Sequence, residues 1–291
     1  MDMIYLKPII DKTMKKLIIP IIMCLVAVSS FAQSEMIRVS YEHRHKVYKD
    51  KSKERVDKYI LHTDFKNSTF YNPSAYFLDK NAHSDAACQA YGAMAAAMQE
   101  KGEGASVPNR SVSTYVFKSF DKQNKRVYED VDEEYIYYEE PFDEMRWVIS
   151  EDSIKNILGY DCVMGETDYH GRHWIVWFTP EIPVSDGPWK FAGLPGLVLM
   201  ATDTTGCHDF IATGLEHPKD PLPEMEVPER YQKGDRIKFL KLRRKVSKQS
   251  VRDILARYPG SKVYLPDGTE LTDDYFAAFD PDYDYLETDY R

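Results

Sequence analysis

The chain has 291 residues, enough for one large domain with a sizeable core, and 43% of them are hydrophobic against 29% charged. A formal net charge of −9 repels polyanions at long range, so DNA and RNA are excluded as expected partners. The aromatic share is 13%, including 21 Tyr, and tyrosine favours half-buried strands, which directs the expectation toward β-sheet.

At the N-terminus, Met14-Lys15-Lys16 precede an apolar run from Leu17 to Val28 that ends in Ser29-Ser30-Phe31-Ala32-Gln33. A basic start, a short apolar core and small residues at Ser30 and Ala32 predict a Sec signal peptide over residues 1–32. Cleavage is expected after Ala32, with Met14 as the true start. The run is short for a membrane span, so the mature protein is expected not to span a membrane. Cys24 sits inside this run behind Ile22-Met23, without the small residues of a lipobox, so the expected location is the periplasm without a lipid anchor.

Residues 36–48 read as a first strand, followed by a charged turn at Lys49–Glu54. Tyr59 to His62 and Ser68 to Tyr71 give two short strands, and Asn72-Pro73 reads as a breaker. Ser84 to Glu100, alanine-rich and capped by Ser84 or Asp85, is the one clear helix before the later strands; Gly102-Glu103-Gly104 ends it. Short strands then recur at Tyr115–Phe120, Val127–Val131, Tyr135–Tyr138, Trp147–Ile149, Gly159–Tyr169, His173–Thr179, Gly196–Thr202 and Asp209–Thr213. Strands this closely spaced argue for an antiparallel meander rather than βαβ units. Beyond Pro221, Arg236–Arg244 and Lys248–Arg257 read as helical. Val263-Tyr264-Leu265 and the acidic, tyrosine-rich residues 280–291 read as a partly ordered tail. The expected fold is mainly β (α+β), with residues 33–291 as a single domain. It is an antiparallel curved sheet or half-barrel, with one helix after the third strand and a helical C-terminal stretch.

One ordered chain of sub-motifs stands out. Ile157-Leu158-Gly159-Tyr160-Asp161-Cys162 is followed by Gly171-Arg172-His173-Trp174, then Trp177-Phe178-Thr179, Ile182-Pro183 and Gly187-Pro188-Trp189. The series leads into Gly193-Leu194-Pro195-Gly196-Leu197-Val198. In this the chain resembles the GLPGLI family of exported proteins, widespread among Bacteroidetes, with Val198 in place of the usual isoleucine. The resemblance runs from about Val39 to Glu216. It implies an exported β protein and supplies no catalytic residue.

In backbone terms, Leu194-Pro195-Gly196-Leu197 fits a type II turn, with Pro195 fixing φ and Gly196 supplying positive φ. Gly193 would let the backbone pass close to a neighbouring strand. Two readings of the motif stay open: a loop pinned between two strands, or a rigid loop presenting Trp189 and Phe191 to a partner.

Candidate chemistry is sparse. His170 and His173 flank a two-residue hairpin turn in this reading, and a meander would bring Cys207-His208 to the same end. His170, His173, Cys207 and His208 are therefore the candidate metal ligands. Cys162 would lie a strand-length from Cys207, which opposes a bridge between them; Cys88 paired with one of them, or buried free thiols, are the alternatives. His43 and His45 share one strand face, read as solvated. The acidic run Glu129–Glu134 lacks the spacing of a calcium loop and reads as a solvated turn, and Glu139, Glu140 and Glu144 read as charged strand edges. No Gly-x-Ser-x-Gly, HExxH or P-loop pattern occurs. The expected function is a non-enzymatic periplasmic binding or accessory protein without a cofactor, carrying an apolar or peptide ligand or assisting an outer-membrane transporter. A concave face with Tyr160, Met164, Trp174 and Trp177 would receive the ligand. The alternative is a metal-binding or metal-dependent protein built on the His170 and His208 neighbourhood.

Overall fold

The computed structural model describes residues 36–82, 84–101, 113–131, 134–142, 145–248, 260, 262 and 283–290. The signal peptide with Met14 and Cys24, the glycines at 102–104, Asp132, Glu133 and Glu144 lie outside the described residues. So do residues 249–257, 263–265 and 280–282 of the C-terminal reading.

Period-2 alternation dominates the chain. The first strand, β1 (Ile37–Lys46), turns Ile37, Val39, Tyr41 and His43 inward while their neighbours stay more exposed. It is followed by β2 (Glu54–Thr63), β3 (Asn67–Tyr71), and the helices α1 (Pro73–Asn81) and α2 (Asp85–Glu100). Next come β4 (Tyr115–Ser119), β5 (Asn124–Val131), β6 (Glu134–Pro141), β7 (Val148–Ile157), β8 (Tyr160–Tyr169) and β9 (Arg172–Thr179). The series closes with β10 (Leu197–Asp203), β11 (His208–Glu216), β12 (Gln232–Lys233) and α3 (Arg236–Ser247).

These strands form one open, curved sheet in the order β12-β6-β5-β4-β3-β2-β1-β11-β10-β9-β8-β7. Every pairing is antiparallel except β12 with β6. The expected curved antiparallel sheet is the one observed, and it does not close into a barrel. Two hairpins turn on two left-handed residues each, Leu158-Gly159 (φ 54° and 89°) and His170-Gly171 (φ 51° and 80°). That is the turn whose twist matches flanking strands.

Four details depart from the sequence reading. Asn72-Pro73 ends β3 but also starts α1, because the Asn72 side chain accepts from the Ser74 and Ala75 amides and Pro73 occupies the first turn. Two helices therefore follow the third strand. Edge strand β7 extends to Ile157 through a polar stretch and a register shift between Ser150 and Ile154; charge and irregularity of this kind protect a sheet edge. Parallel strand β12 is too short to leave a pattern. Finally, residues 283–290 are packed against the sheet: Tyr283 bridges Tyr48, and the Asp284 and Thr288 amides donate to the Val47 and His170 carbonyls (both 3.0 Å).

Most of the core lies on one face, the inner face, where Val39, Leu61, Phe70, Trp174, Phe178 and Phe210 are buried together. The 180–196 loop folds over it and adds Ile182, Val184, Trp189, Phe191 and Leu194. A smaller cluster on the outer face joins Tyr71, Ala75, Tyr115, Tyr128, Val227 and Tyr231.

Candidate functional site

The loop that carries the sequence motif is held from below by a buried cation. Lys118 on β4 donates to Asp186 Oδ1 (2.7 Å), the Gly187 carbonyl (2.7 Å) and the Phe191 carbonyl (2.9 Å). Both ends of the Lys118–Asp186 pair are fully buried. Trp189 and Phe191 are 2% and 0% exposed, so they fill the core and are not presented to a partner. The two motif glycines also exchange the roles read from the sequence. Gly193 takes the positive φ (93°). Gly196 does not, so the turn is not type II; instead a Cβ there would overlap the Thr179 carbonyl oxygen and lie 2.7 Å from its carbon. Val198 is then the second residue of β10, its amide donating to the Asp186 carbonyl (2.9 Å) and its carbonyl accepting from Tyr41 Oη (2.6 Å).

Toward the β1–β2 and β10–β11 turns the inner face changes from apolar to polar. The register makes His43 the cross-strand partner of Asp57 on one side and Phe210 on the other, and His45 the partner of Arg55 and His208. His43 is only 6% exposed. Its ring stacks on Phe210 (4.2 Å between centroids) and on His45 (4.6 Å). The solvated face expected for His43 and His45 is therefore replaced by a stacked, largely buried one. His43 Nε2 and His208 Nδ1 lie 3.1 Å apart. His45 Nε2 lies 3.0 Å from Asp57 Oδ2, while Arg55 Nε donates to Asp57 Oδ1 (2.9 Å). Burial, reinforced by His208 and His45, holds His43 well below the ordinary imidazole range. Burial also lowers His208, although Asp284 opposes it. Both rings are thus neutral at neutral pH, with a lone pair to offer.

These side chains wall a cavity of about 290 Å³. Tyr59, Phe70, Trp189 and Phe210 contribute to its aromatic surface, and the C-terminal segment Tyr283–Glu287 lines it as well. Arg172 at the start of β9 latches that segment: it donates to Asp284 Oδ1 (2.9 Å), to the Leu286 carbonyl (3.0 Å) and to the Tyr285 carbonyl. Its other amino group pairs with Asp203 (2.7 Å). Asp203 in turn accepts from the backbone amides of Cys207 and His208 (both 2.8 Å).

Beside the cavity lies a second cluster of different character. Lys190, fully buried, pairs with Glu287 (2.7 Å) and Glu140 (3.1 Å). Arg236 pairs with Glu287 and Asp289 (both 2.6 Å). His170 lies 3.3 Å from Glu140 and 3.1 Å from Asp289. Burial alone would raise the three carboxyls, but Lys190, Arg236 and His170 outweigh it and lower each of them. His170 is raised: burial opposes this, and its bonds to Asp289 and Glu140 prevail.

The four candidate metal ligands of the sequence reading are not gathered in one place. The β8–β9 register pairs Tyr169 with Arg172 and Asp168 with His173, one residue off the expected hairpin, and a one-residue slip moves side chains to the other face. His170 accordingly sits in the turn, in the second cluster, while His173 is on the outer face with Asp168 (2.8 Å) and Glu166 (3.4 Å). His208 joins His43. The Cys207 thiol is pushed up by burial, and that of Cys162 up to about 11 by the same cause. Cys88, Cys162 and Cys207 are all free; Cys88 is exposed and the other two are buried. The candidate aromatic face is likewise divided. Trp174 is fully buried on the inner face; Met164 and its cross-strand partner Trp177, with Tyr160 in the same alternation, lie on the other. Of the acidic residues, Glu129 is buried and pairs with Arg243 (2.8 Å), Glu139 pairs with Arg126 on the outer face, and Glu140 is the buried member described above. The sequence reading missed Asp57, Lys190 and Glu287. For Asp57 a signal existed, since Arg55, Asp57 and Tyr59 alternate opposite His43 and His45.

No described helix is long and apolar enough to cross a membrane. A family described as a protein of unknown function (Porph_ging), a Bacteroidetes-associated domain, matches residues 164–200, the stretch from β8 through the glycine-proline motif. None of the curated proteins matches the chain. Among solved structures, PNGF-II is similar with 14% identity and a TM-score of 0.47 over 73% of this chain. The match spans only 33% of PNGF-II. A LolA superfamily protein from Nitrosomonas europaea aligns with 8% identity and a TM-score of 0.28, covering 65% of this chain and 89% of the other. A putative outer membrane lipoprotein-sorting protein domain from Vibrio parahaemolyticus aligns with 7% identity and a TM-score of 0.28, over 68% and 92% of the two chains.

Proposed function

We propose that the protein is an exported, periplasmic binding or accessory protein of the GLPGLI type that holds a small, partly polar ligand in the histidine-lined cavity. The observation that carries this reading is the cavity of about 290 Å³ itself. It combines aromatic walls with a few convergent polar groups, the composition of small-molecule sites, at the lower end of their size range. Elsewhere on the inner face, Trp174, Phe178, Phe191 and Leu194 pack as solid core, which disfavours an extended apolar cargo lying along the sheet. The two buried thiols are held protonated, which disfavours a cysteine nucleophile. Delivery of the ligand to an outer-membrane transporter is the finer form of this reading; it rests on the signal-peptide pattern alone.

Native mass spectrometry of protein purified gently from its own cells tests the proposal. Wild-type protein is expected to carry a low-mass adduct. Val47→Trp, which introduces an indole from the half-buried rim of the cavity, is expected to lose it. A wild-type protein free of any adduct after incubation with periplasmic extract would overturn the reading.

A further inference from the structure

The cavity's polar wall has a donor set that its own hydrogen bonds do not exhaust. His43, His45 and Asp57 each offer one ligand atom such that all three lie within 4.8 Å of one another. The arrangement follows from the sheet. His43 and His45 are two residues apart on β1, and Asp57 stands directly opposite His43 on β2, so all three project from the same face. A second observation points the same way. His208, 2% exposed, brings Nδ1 to 3.1 Å from His43 Nε2. Its other nitrogen has no hydrogen-bond partner, with the Asp284 carboxylate 3.5 Å away.

We propose that His43, His45 and Asp57 bind a single divalent transition-metal cation of the zinc class, with His208 as the adjoining donor and open coordination positions facing the cavity. This deepens the binding-protein reading and rests on it: the ion becomes the group to which a small ligand attaches. The donor chemistry selects the class. Imidazole nitrogens with one carboxylate suit zinc, nickel, copper or iron, whereas calcium and magnesium prefer all-oxygen shells. His43, His45 and Asp57 as the three primary donors, with a position left for an exogenous ligand, match the ligand count of catalytic rather than structural zinc sites. The surroundings supply an outer layer as well. Arg55 holds Asp57 Oδ1 and leaves Oδ2 available. Asp284, 3.5 Å from His208 Nε2, stands where it can accept from an Nε2–H, a tautomer that would leave the Nδ1 lone pair toward the site. Binding requires the His45–Asp57 contact to open by a small side-chain adjustment, so that each donor faces the ion.

The other three-ligand group among the described residues, Glu140, His170 and Glu287, is not chosen, because Lys190 and Arg236 already supply its cations.

The test is calorimetric titration of the chelator-treated mature chain with Zn²⁺, beside Mg²⁺ and Ca²⁺. One Zn²⁺ per chain is expected, with no saturable Mg²⁺ or Ca²⁺ binding. His45→Gln and Asp57→Asn are each expected to weaken Zn²⁺ at least about tenfold. His173→Gln, on the outer face, is expected to leave it unchanged. His45 is only half-buried, so His45→Gln should fold; its metal-free melting temperature, and a Zn²⁺-dependent rise in the wild-type melting temperature that the variant lacks, keep the test independent of folding defects. Absence of saturable Zn²⁺ binding to the wild type would overturn the assignment, as would binding untouched by His45→Gln and Asp57→Asn. If Zn²⁺ fails to bind but the adduct blocked by Val47→Trp persists, only the metal assignment falls. If both fail, the binding-protein reading falls with it.

Discussion

Two buried histidine clusters among the described residues both border the 283–290 segment, and they differ in what balances their charge. Around His170, three carboxylates from β6 and the C-terminal segment meet Lys190 and Arg236, so the cluster is closed on itself. Around His43, which stacks on Phe210, the rings of His45 and His208 stack in turn, with Asp57 on β2 and Asp284 as carboxylate neighbours and a cavity alongside. A histidine surrounded by its own counter-ions is part of the scaffold. Imidazoles that line a cavity have coordinating capacity left over. The contrast assigns stability to one cluster and binding to the other.

The largest expected effect is on the closed cluster. Lys190→Met leaves Glu140 and Glu287 buried without their main cation and is expected to cost about 3–5 kcal/mol in chemical denaturation. His45→Gln, at a partly exposed pair, is expected to cost no more than about 1 kcal/mol. Equal losses from the two would erase the distinction drawn between the clusters.

Gly171→Ala probes the attachment of the C-terminal segment. Its backbone is left-handed, and a Cβ there would overlap Thr288 Oγ1 and lie 2.8 Å from the Asp289 amide. A loss of about 1–3 kcal/mol is expected. Faster amide exchange is expected over residues 283–290, with unchanged protection in β1 and β2. Slowed exchange in that segment would show that the hairpin does not anchor it.

A gentler lever is pH. Glu140, Glu287 and Asp289 titrate below their unfolded values, so the stability they contribute is present above about pH 4–4.5 and is lost as pH falls through their folded values. His170 titrates above its unfolded value, so its contribution is present below about pH 6.5 and is lost as pH rises through the folded value. Lys190 and Arg236, the facing cations, stay charged throughout this window. Exchange of the Thr288 amide is therefore expected to be slowest between about pH 5 and 6.5; monotonic behaviour, after correction for intrinsic exchange, would contradict this balance. The smallest effect belongs to His173→Ala on the outer face, expected to stay within about 0.5 kcal/mol because both its carboxylate partners are themselves solvated.

Strand content and the antiparallel order were legible because alternation such as Ile37-Val39-Tyr41 and Trp174-Val176-Phe178 is local. The site was legible only in part. The His170-Gly171 turn was placed one residue too late, and that slip alone assigned His170 and His173 to a common site. Asn72-Pro73 carried two messages, strand end and helix start, and only the first was taken. Lys118 and Lys190 carry no signal in the sequence, because nothing local distinguishes a lysine that will meet Asp186 or Glu287 far along the chain. The acidic C-terminal segment read as only partly ordered for the same reason: its partners Arg172, Lys190 and Arg236 belong to distant elements.

That segment also gives the chain a direction in time. Residues 283–287 follow every described strand in sequence, yet they line the cavity together with residues of β1, β2 and β11. As the chain emerges N-terminus first, the whole sheet can pair before the last wall of the cavity exists. Occupancy of the cavity therefore reports that the chain has emerged at least through Glu287, and displacing residues 283–287 would open the pocket while leaving the sheet its hydrogen bonds.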